Sequence, residues 1–276
     1  MVPVLLPHAL SADVGGLLGV PSLTPGTALL ILASATLAGW VDAIVGGGGL
    51  IQLPAILLVP GLAPVHAIAT NKASSAMGTA AAAAAYRRRV GFPSGVAPAA
   101  ALAFVGSMAG AIVATRLPTE VFTTIIIVAL AVVLLITVLK PSAFAADRER
   151  TLLPHRTAVL RGCAIGAVVG FYDGVMGPGT GSFLVLGFIL LVGLDALRAT
   201  AMTKAVNLAT NVGALVLFAV AGAVQWRLGI LMGCFNMLGG WLGARTATRF
   251  GAGFVRVVLI VVVVALLVKL VLQVLG

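Results

Sequence analysis

Acidic side chains are scarce in this chain. It holds 7 Asp and Glu against 17 Lys and Arg in 276 residues, and only 9% of the residues are charged. A soluble domain carries roughly 25% charged residues. So little charge cannot cover a chain of this length in water, which excludes a soluble globular fold. Cysteine is nearly absent. Cys163 and Cys234 lie at or within apolar runs, too few for a disulfide framework and without metal-ligand spacing, and read as small packing residues. There is no G-x-x-x-x-G-K-[ST] loop, no HExxH and no Ser–His–Asp grouping. The expectation is therefore no catalytic residue, no metal site and no cofactor, and an ATP-driven pump would need a partner chain. A basic n-region is also missing, and His8 and Asp13 interrupt the first residues. No cleavable signal peptide is expected, and the first span itself is expected to direct insertion.

What the chain has in abundance is apolar surface: 61% hydrophobic residues and a mean hydropathy of +1.19. That composition predicts an all-α integral membrane protein with the lipid bilayer as its main partner. The net charge of +10 would suggest nucleic acid in a soluble protein. Its placement says otherwise. Before Arg87 the only Asp, Glu, Lys or Arg residues are Asp13, Asp42 and Lys72, and the basic residues then cluster between apolar runs. This is a topology signal, and no nucleic-acid partner is expected.

The apolar segments read as 26–45, 49–60, 64–85, 94–115 and 119–139, then 157–176, 182–193, 196–222, 227–248 and 252–274. A span needs about 20 apolar residues, so 49–60 and 182–193 are either half-helices, re-entrant or crossing at a tilt. The chain divides into an extracytoplasmic segment (1–25), a first transmembrane repeat (26–139), a cytoplasmic linker (140–156) and a second repeat (157–276). The halves look alike. GWVDAIVGGGG resembles GFYDGVMGPGT, ATNKASS resembles AMTKAVN, and GSMAGAIVATR resembles GGWLGARTATR. These blocks pair Asp42 with Asp173, Lys72 with Lys204 and Arg116 with Arg249, at offsets of 131, 132 and 133 residues. A slowly growing offset over three ordered blocks marks an internal duplication. Arg87, Arg88, Arg89 and the linker cations are cytoplasmic by the positive-inside rule, which puts both termini outside and Arg116 and Arg249 on opposite sides. The repeats are then inverted, with an odd number of crossings each. Five plus five is favoured over three plus three.

Inverted repeats with broken helices are a transporter architecture. Gly46 to Gly49 allow a sharp break, with a second helix starting near Leu50 whose free N–H groups face an anion. Gly177, Pro178, Gly179, Thr180 and Gly181 repeat the device, with Thr180 or Ser182 as a helix cap. Lys72 and Lys204 lie about eight residues into their segments, roughly 12 Å deep at 1.5 Å per residue. A charge so deep is costly unless paired or hydrated, and usually marks a pathway. Lys72, Ser75 and Thr79 share a helical face, as do Lys204, Asn207 and Asn211. The bland alternative is a structural bridge within each half, Asp42 to Lys72 and Asp173 to Lys204. The aspartates could also carry protons or brace the Gly turns by accepting backbone N–H bonds. Gln52 could face the site or the bundle, and His66 reads as a loop or packing residue. Trp40, Trp226 and Trp241 read as packing or interfacial residues, Tyr86 as an interfacial anchor. Gly106–Gly110 and Gly239–Gly243 match GxxxG and read as helix packing.

The stretches AGWVDAIVGGGGLIQLPAIL, ATNKASSAMG, GFYDGVMGPGTGSFL and MTKAVNLATN together resemble the TauE/SafE family of sulfite exporters and anion permeases. The resemblance runs over the chain beyond about residue 26. It implies a multi-pass protein of the bacterial inner membrane that moves a small sulfur-containing anion such as sulfite or an organosulfonate. The second half departs from the first at Pro178 and Asn207. The residue reading agrees with this: an anion site of Lys72, Lys204 and the amides of Gly47, Gly48, Gly49, Gly179, Thr180 and Gly181. Asn71, Ser75, Thr203 and Asn207 would orient the anion. Asp42 and Asp173 would support the loops or couple a proton. The expected activity is secondary transport by alternating access. The rival is a non-transporting subunit or membrane-embedded enzyme of sulfur metabolism. The exact anion, the direction, the coupling ion and a homo-oligomeric state stay open.

Overall fold

The computed structural model of the chain describes residues 15, 16, 18–116 and 153–275. Every element among them is helical. The expected segment 119–139 and most of the linker lie outside the described residues.

Helix α1 spans Pro25–Val45. Pro25 suits a first helical position because its missing N–H has no intrahelical partner there anyway. Thr24 caps the helix, its hydroxyl accepting the N–H of Thr27 at 3.2 Å. The helix stops at Gly46, whose φ of 79° is open to glycine at little cost. Helix α2 follows at once, Gly48–Leu57. Helix α3, Pro64–Arg89, carries Arg87, Arg88 and Arg89 in its last turn, where cations complement the helix dipole. Helix α4 spans Val96–Ala114.

The same order then recurs. Helix α5, His155–Val175, ends before a turn with Gly177 and Gly179 at positive φ. Short helix α6, Thr180–Gly187, runs on as one π-helical turn over Phe188–Val192 and stops at Gly193. Helix α7, Ala196–Val220, is capped by Asp195, whose carboxylate accepts the Arg198 N–H at 2.9 Å. Helix α8, Trp226–Leu275, joins the two last predicted segments through a kink at Gly251 (φ 75°, ψ −165°). Predicted and observed helices otherwise agree to within a few residues.

Among the described residues four helices are long and apolar enough to cross a membrane: α1, α4, α5 and α7. Helices α2 and α6 with its π-turn are apolar but shorter. Large apolar side chains such as Leu29, Leu37, Val105, Leu160, Val168 and Ile230 point outward, as a lipid-facing surface requires. Cys234 is exposed as well, so of the two cysteines only Cys163 is even half-buried.

The most extensive helix contacts run between the halves. Helix α4 packs on α5 and α7, and α8 packs on α1 and α3. Small residues allow this. Gly106 and Gly110 lie so close to the backbone oxygens of Ala167 and Phe171 that a Cβ on either would overlap them. Gly239 and Gly243 stand in the same relation to Thr36 and Trp40. Backbones that approach this closely gain dispersion contacts, which replace the hydrophobic driving force that lipid does not supply. Tyr86 corrects its sequence reading. It is fully buried, and its hydroxyl donates to the Ala43 carbonyl at 3.0 Å.

Candidate functional site: crossed ion pairs at two helix breaks

The two Gly-rich breaks meet back to back. The Gly46 and Gly181 backbones touch, and a Cβ on either would overlap the other. Ser182 Oγ donates to the Val45 carbonyl at 2.8 Å, tying the start of α6 to the end of α1. Asp42 sits one turn before the first break and Asp173 one turn before the second. Helices α3 and α7 cross beside them and bring Lys72 and Lys204, each no more than 1% exposed.

The lysines do not pair within their own halves. Lys72 Nζ lies 2.7 Å from Asp173 Oδ2, an ion pair without aligned hydrogen-bond geometry. Lys204 Nζ lies 3.1 Å from Asp42 Oδ2 and also donates to the Asp42 main-chain carbonyl. The expected bridges Asp42–Lys72 and Asp173–Lys204 are thus replaced by a crossed set. The reason is packing: docking the breaks against each other brings each aspartate nearer the lysine of the opposite half.

The pairs differ in their surroundings. Asp173 Oδ1 accepts the Thr180 hydroxyl at 2.7 Å, and that hydroxyl also lies 2.7 Å from the Gly177 carbonyl. Tyr172, one residue before Asp173, donates to the Pro178 carbonyl at 2.7 Å and holds the turn. Apart from Lys204, the Asp42 carboxylate has only a long contact, 3.5 Å, from Thr79. The Asp42 side chain is 15% exposed and that of Asp173 3%.

Beside Asp42 and the Lys72–Asp173 pair lies a polar cavity of about 20 Å³. Its wall includes Asp42, Asp173, Lys72, Asn71, Ser75, Asn207, Gly49, Thr180 and Gly181 of the expected site. It also includes Gly46, Gly177 and Asn211, which the expected set left out although they belong to the same glycine clusters and helical face. Buried Asn71 Oδ1 has no hydrogen-bond partner, and neither does Thr203 Oγ1, although Thr203 is not part of the wall. Lys204 does not line the cavity; it pairs with Asp42, which does. Gly47, Gly48 and Gly179 do not line the cavity; Gly48 instead packs against Ala38 and Asp42.

Three finer expectations are corrected. Helix α2 begins at Gly48 rather than near Leu50. Neither Thr180 nor Ser182 caps α6; Gly179 holds the cap position, and the two hydroxyls serve Asp173 and Val45. Among the described residues the Asp42 and Asp173 carboxylates accept from Thr180, Thr79 and Lys204, not from backbone N–H groups of the glycine turns. Gln52 faces the bundle, where its Oε1 accepts from Asn236 Nδ2 at 2.5 Å. His66 Nδ1 lies 2.7 Å from the Ala223 carbonyl, a structural contact between the ends of α3 and α7. Trp40 packs edge-on against Phe254 and reaches Thr246, while Trp241 lies under the Arg245 guanidinium.

A larger cavity, about 560 Å³, lies between α5 and α6, but its wall is apolar apart from Arg161 at the rim. Among the described residues no group of three His, Cys, Asp or Glu could hold a metal.

Comparison with known proteins matches residues 31–270 to the family "Sulfite exporter TauE/SafE". The chain is 38% identical over 242 residues to the probable membrane transporter protein ORF9 of a Sinorhizobium species, covering 87% of this chain and 90% of that one. It is 35% identical to the probable membrane transporter protein YfcA of Escherichia coli K12, covering 86% of each chain. A probable membrane transporter protein of Haemophilus influenzae is 31% identical over 81% of this chain and 86% of its own. No solved structure matches the chain.

Proposed function

Because this chain belongs to the sulfite exporter TauE/SafE family of membrane transporters, we propose that it is a secondary transporter, not an enzyme, that moves a small sulfur-containing anion across the bacterial inner membrane by alternating access. The observation that carries the reading is two buried lysines beside two abutting helix breaks, Lys72 in the wall of a small polar cavity and Lys204 paired to Asp42 of that wall. Lysines in that setting offer an anion two ammonium groups. The free N–H groups at the starts of α2 and α6 add positive helix ends. Asn71, Ser75 and Asn207 supply amide and hydroxyl donors for oxygens.

Two features support alternating access. The order of long helix, glycine break, short helix and two long helices occurs twice. The fourth helix of each set packs on the other set. Counting 119–139 from the sequence and dividing α8 at Gly251 makes ten segments, five in each of two inverted repeats. A cavity of about 20 Å³ holds roughly one water. A sulfur oxyanion has several oxygens of comparable size, so this closed site must open for substrate to enter.

The test is uptake of labelled sulfite, thiosulfate and methanesulfonate by the purified protein in liposomes. Saturable uptake by the wild type is expected. It should fall at least tenfold in Lys72→Ala and Lys204→Ala variants that still elute as single species. Full flux in both folded variants would return the lysines to a structural role, and no flux of any of the three anions in the wild type would overturn the substrate class.

A further inference from the structure

We propose that Asp42 is the proton site of this carrier: each anion that binds opposite Lys204 enters with one proton on the Asp42 carboxylate, while Asp173 stays ionised as the fixed partner of Lys72. This rests on the anion reading above and deepens it by naming the coupled ion, the residue and the ratio.

Two lysines and two aspartates pair at the helix breaks, so the site is neutral before any substrate arrives. A monoanion added to a cavity with room for about one water would leave an uncompensated buried charge, which the low-dielectric interior penalises heavily. One proton on a carboxylate removes the excess. The proton comes from solvent and forms an O–H bond on Asp42. The ion pair to Lys204 is released, and the anion takes the carboxylate's place opposite the ammonium. The net charge of the site is zero before and after.

Geometry decides which carboxylate. Protonation of Asp42 leaves Lys204 held, because its Nζ also donates to the Asp42 main-chain carbonyl, which does not titrate. Protonation of Asp173 would strip Lys72 of its one polar partner among the described residues. Asp173 is also clamped by the Thr180 hydroxyl at 2.7 Å, whereas Thr79 stands 3.5 Å from Asp42. Solvent reaches Asp42 more readily, at 15% side-chain exposure against 3%. The ionisable groups facing Asp42 are Lys204 from α7 and Tyr86 from α3, with the Lys72–Asp173 pair across the cavity. Helices α2 and α6 bring none. On α8, Arg245 lies over Trp241 and Arg249 over Phe250.

The experiment measures methanesulfonate binding to the purified full chain in detergent as a function of pH, with proton uptake read from an indicator dye in weak buffer. Methanesulfonate keeps one negative charge over the whole range, so any pH dependence belongs to the protein. One coupled proton means that affinity weakens about tenfold per pH unit once Asp42 is ionised in the free protein. The wild type is expected to show that slope and to take up one proton per anion. Asp42→Asn should lose both, and Asp42→Glu should restore them. Asp173→Glu, which keeps the charge of the site, should leave the infrared band of the protonated carboxyl unchanged on anion binding, whereas Asp42→Glu should shift it; a shift in Asp173→Glu instead would overturn the assignment. A wild-type slope in folded Asp42→Asn, or anion binding without proton uptake in the wild type, would overturn the assignment. If methanesulfonate does not bind, the anion reading fails for it. The proton site then stands or falls on infrared difference spectra between acid and alkaline pH. A carboxyl band that Asp42→Asn removes supports it, and a spectrum that Asp42→Asn leaves unchanged overturns it.

Discussion

Lys72 illustrates how little a buried charge can do without its partner. Removing one member of a buried ion pair leaves the other uncompensated and typically costs about 3–5 kcal/mol, whereas replacing both by apolar residues of similar volume is often neutral or better. Asp173→Leu is therefore expected to lower the thermal midpoint of the protein in detergent sharply. Lys72→Met should recover most of the loss in the double variant. Lys204→Met should recover none, because Lys204 pairs with Asp42. The pattern of rescue tests the crossed geometry directly. Asp42→Leu should destabilise less than Asp173→Leu, since Lys204 retains the carbonyl of residue 42.

At the scale of elements, helix contacts depend on residues without a Cβ. Gly110 on α4 faces the Phe171 carbonyl and Gly174 on α5 faces the Ser107 carbonyl, each too close for a methyl group. Alanine at either position must push α4 and α5 apart, an overpacking cost of about 1–3 kcal/mol. Gly26, in the first turn of α1, has open space where a Cβ would go. Gly26→Ala is expected to be neutral or to stabilise by about 0.5–1 kcal/mol through helix propensity. Midpoints of the three variants measured side by side separate packing glycines from incidental ones. A fourth variant, Gly46→Ala, should lose more than any of these three, because the φ of 79° and the contact with Gly181 both forbid it.

At the scale of the whole molecule, each half finishes the other. Helices α4 and α8 find their main neighbours across the halves, Ser182 of the second break bonds to Val45 of the first, and both deep ion pairs cross. A chain cut within the 140–156 linker is expected to yield halves that accumulate and co-purify only when expressed together. Either half alone would carry one unpaired Asp and one unpaired Lys and should be lost from the membrane fraction. Immunoblots of the separate and joint expressions check this.

Much of this was legible in the chain of residues. Low charge, long apolar runs and Gly or Pro punctuation placed α1 to α5 and α7 within a few residues, because those features act through local backbone chemistry and through the length a bilayer requires. The deep lysines and the glycine clusters announced a polar centre, because a charge inside an apolar run is costly until something pairs with it or hydrates it. What the tertiary structure alone decided is who meets whom. Sequence spacing put Asp42 and Lys72 in one half, but the abutting breaks assigned Lys72 to Asp173 and Lys204 to Asp42. It also took Tyr86 from an expected interface into the core, and turned Thr180 from a helix cap into a partner of Asp173. Helical periodicity tells which residues share a face. Which face it meets depends on how elements more than a hundred residues apart pack, and that is a property of the folded volume rather than of any window along the chain.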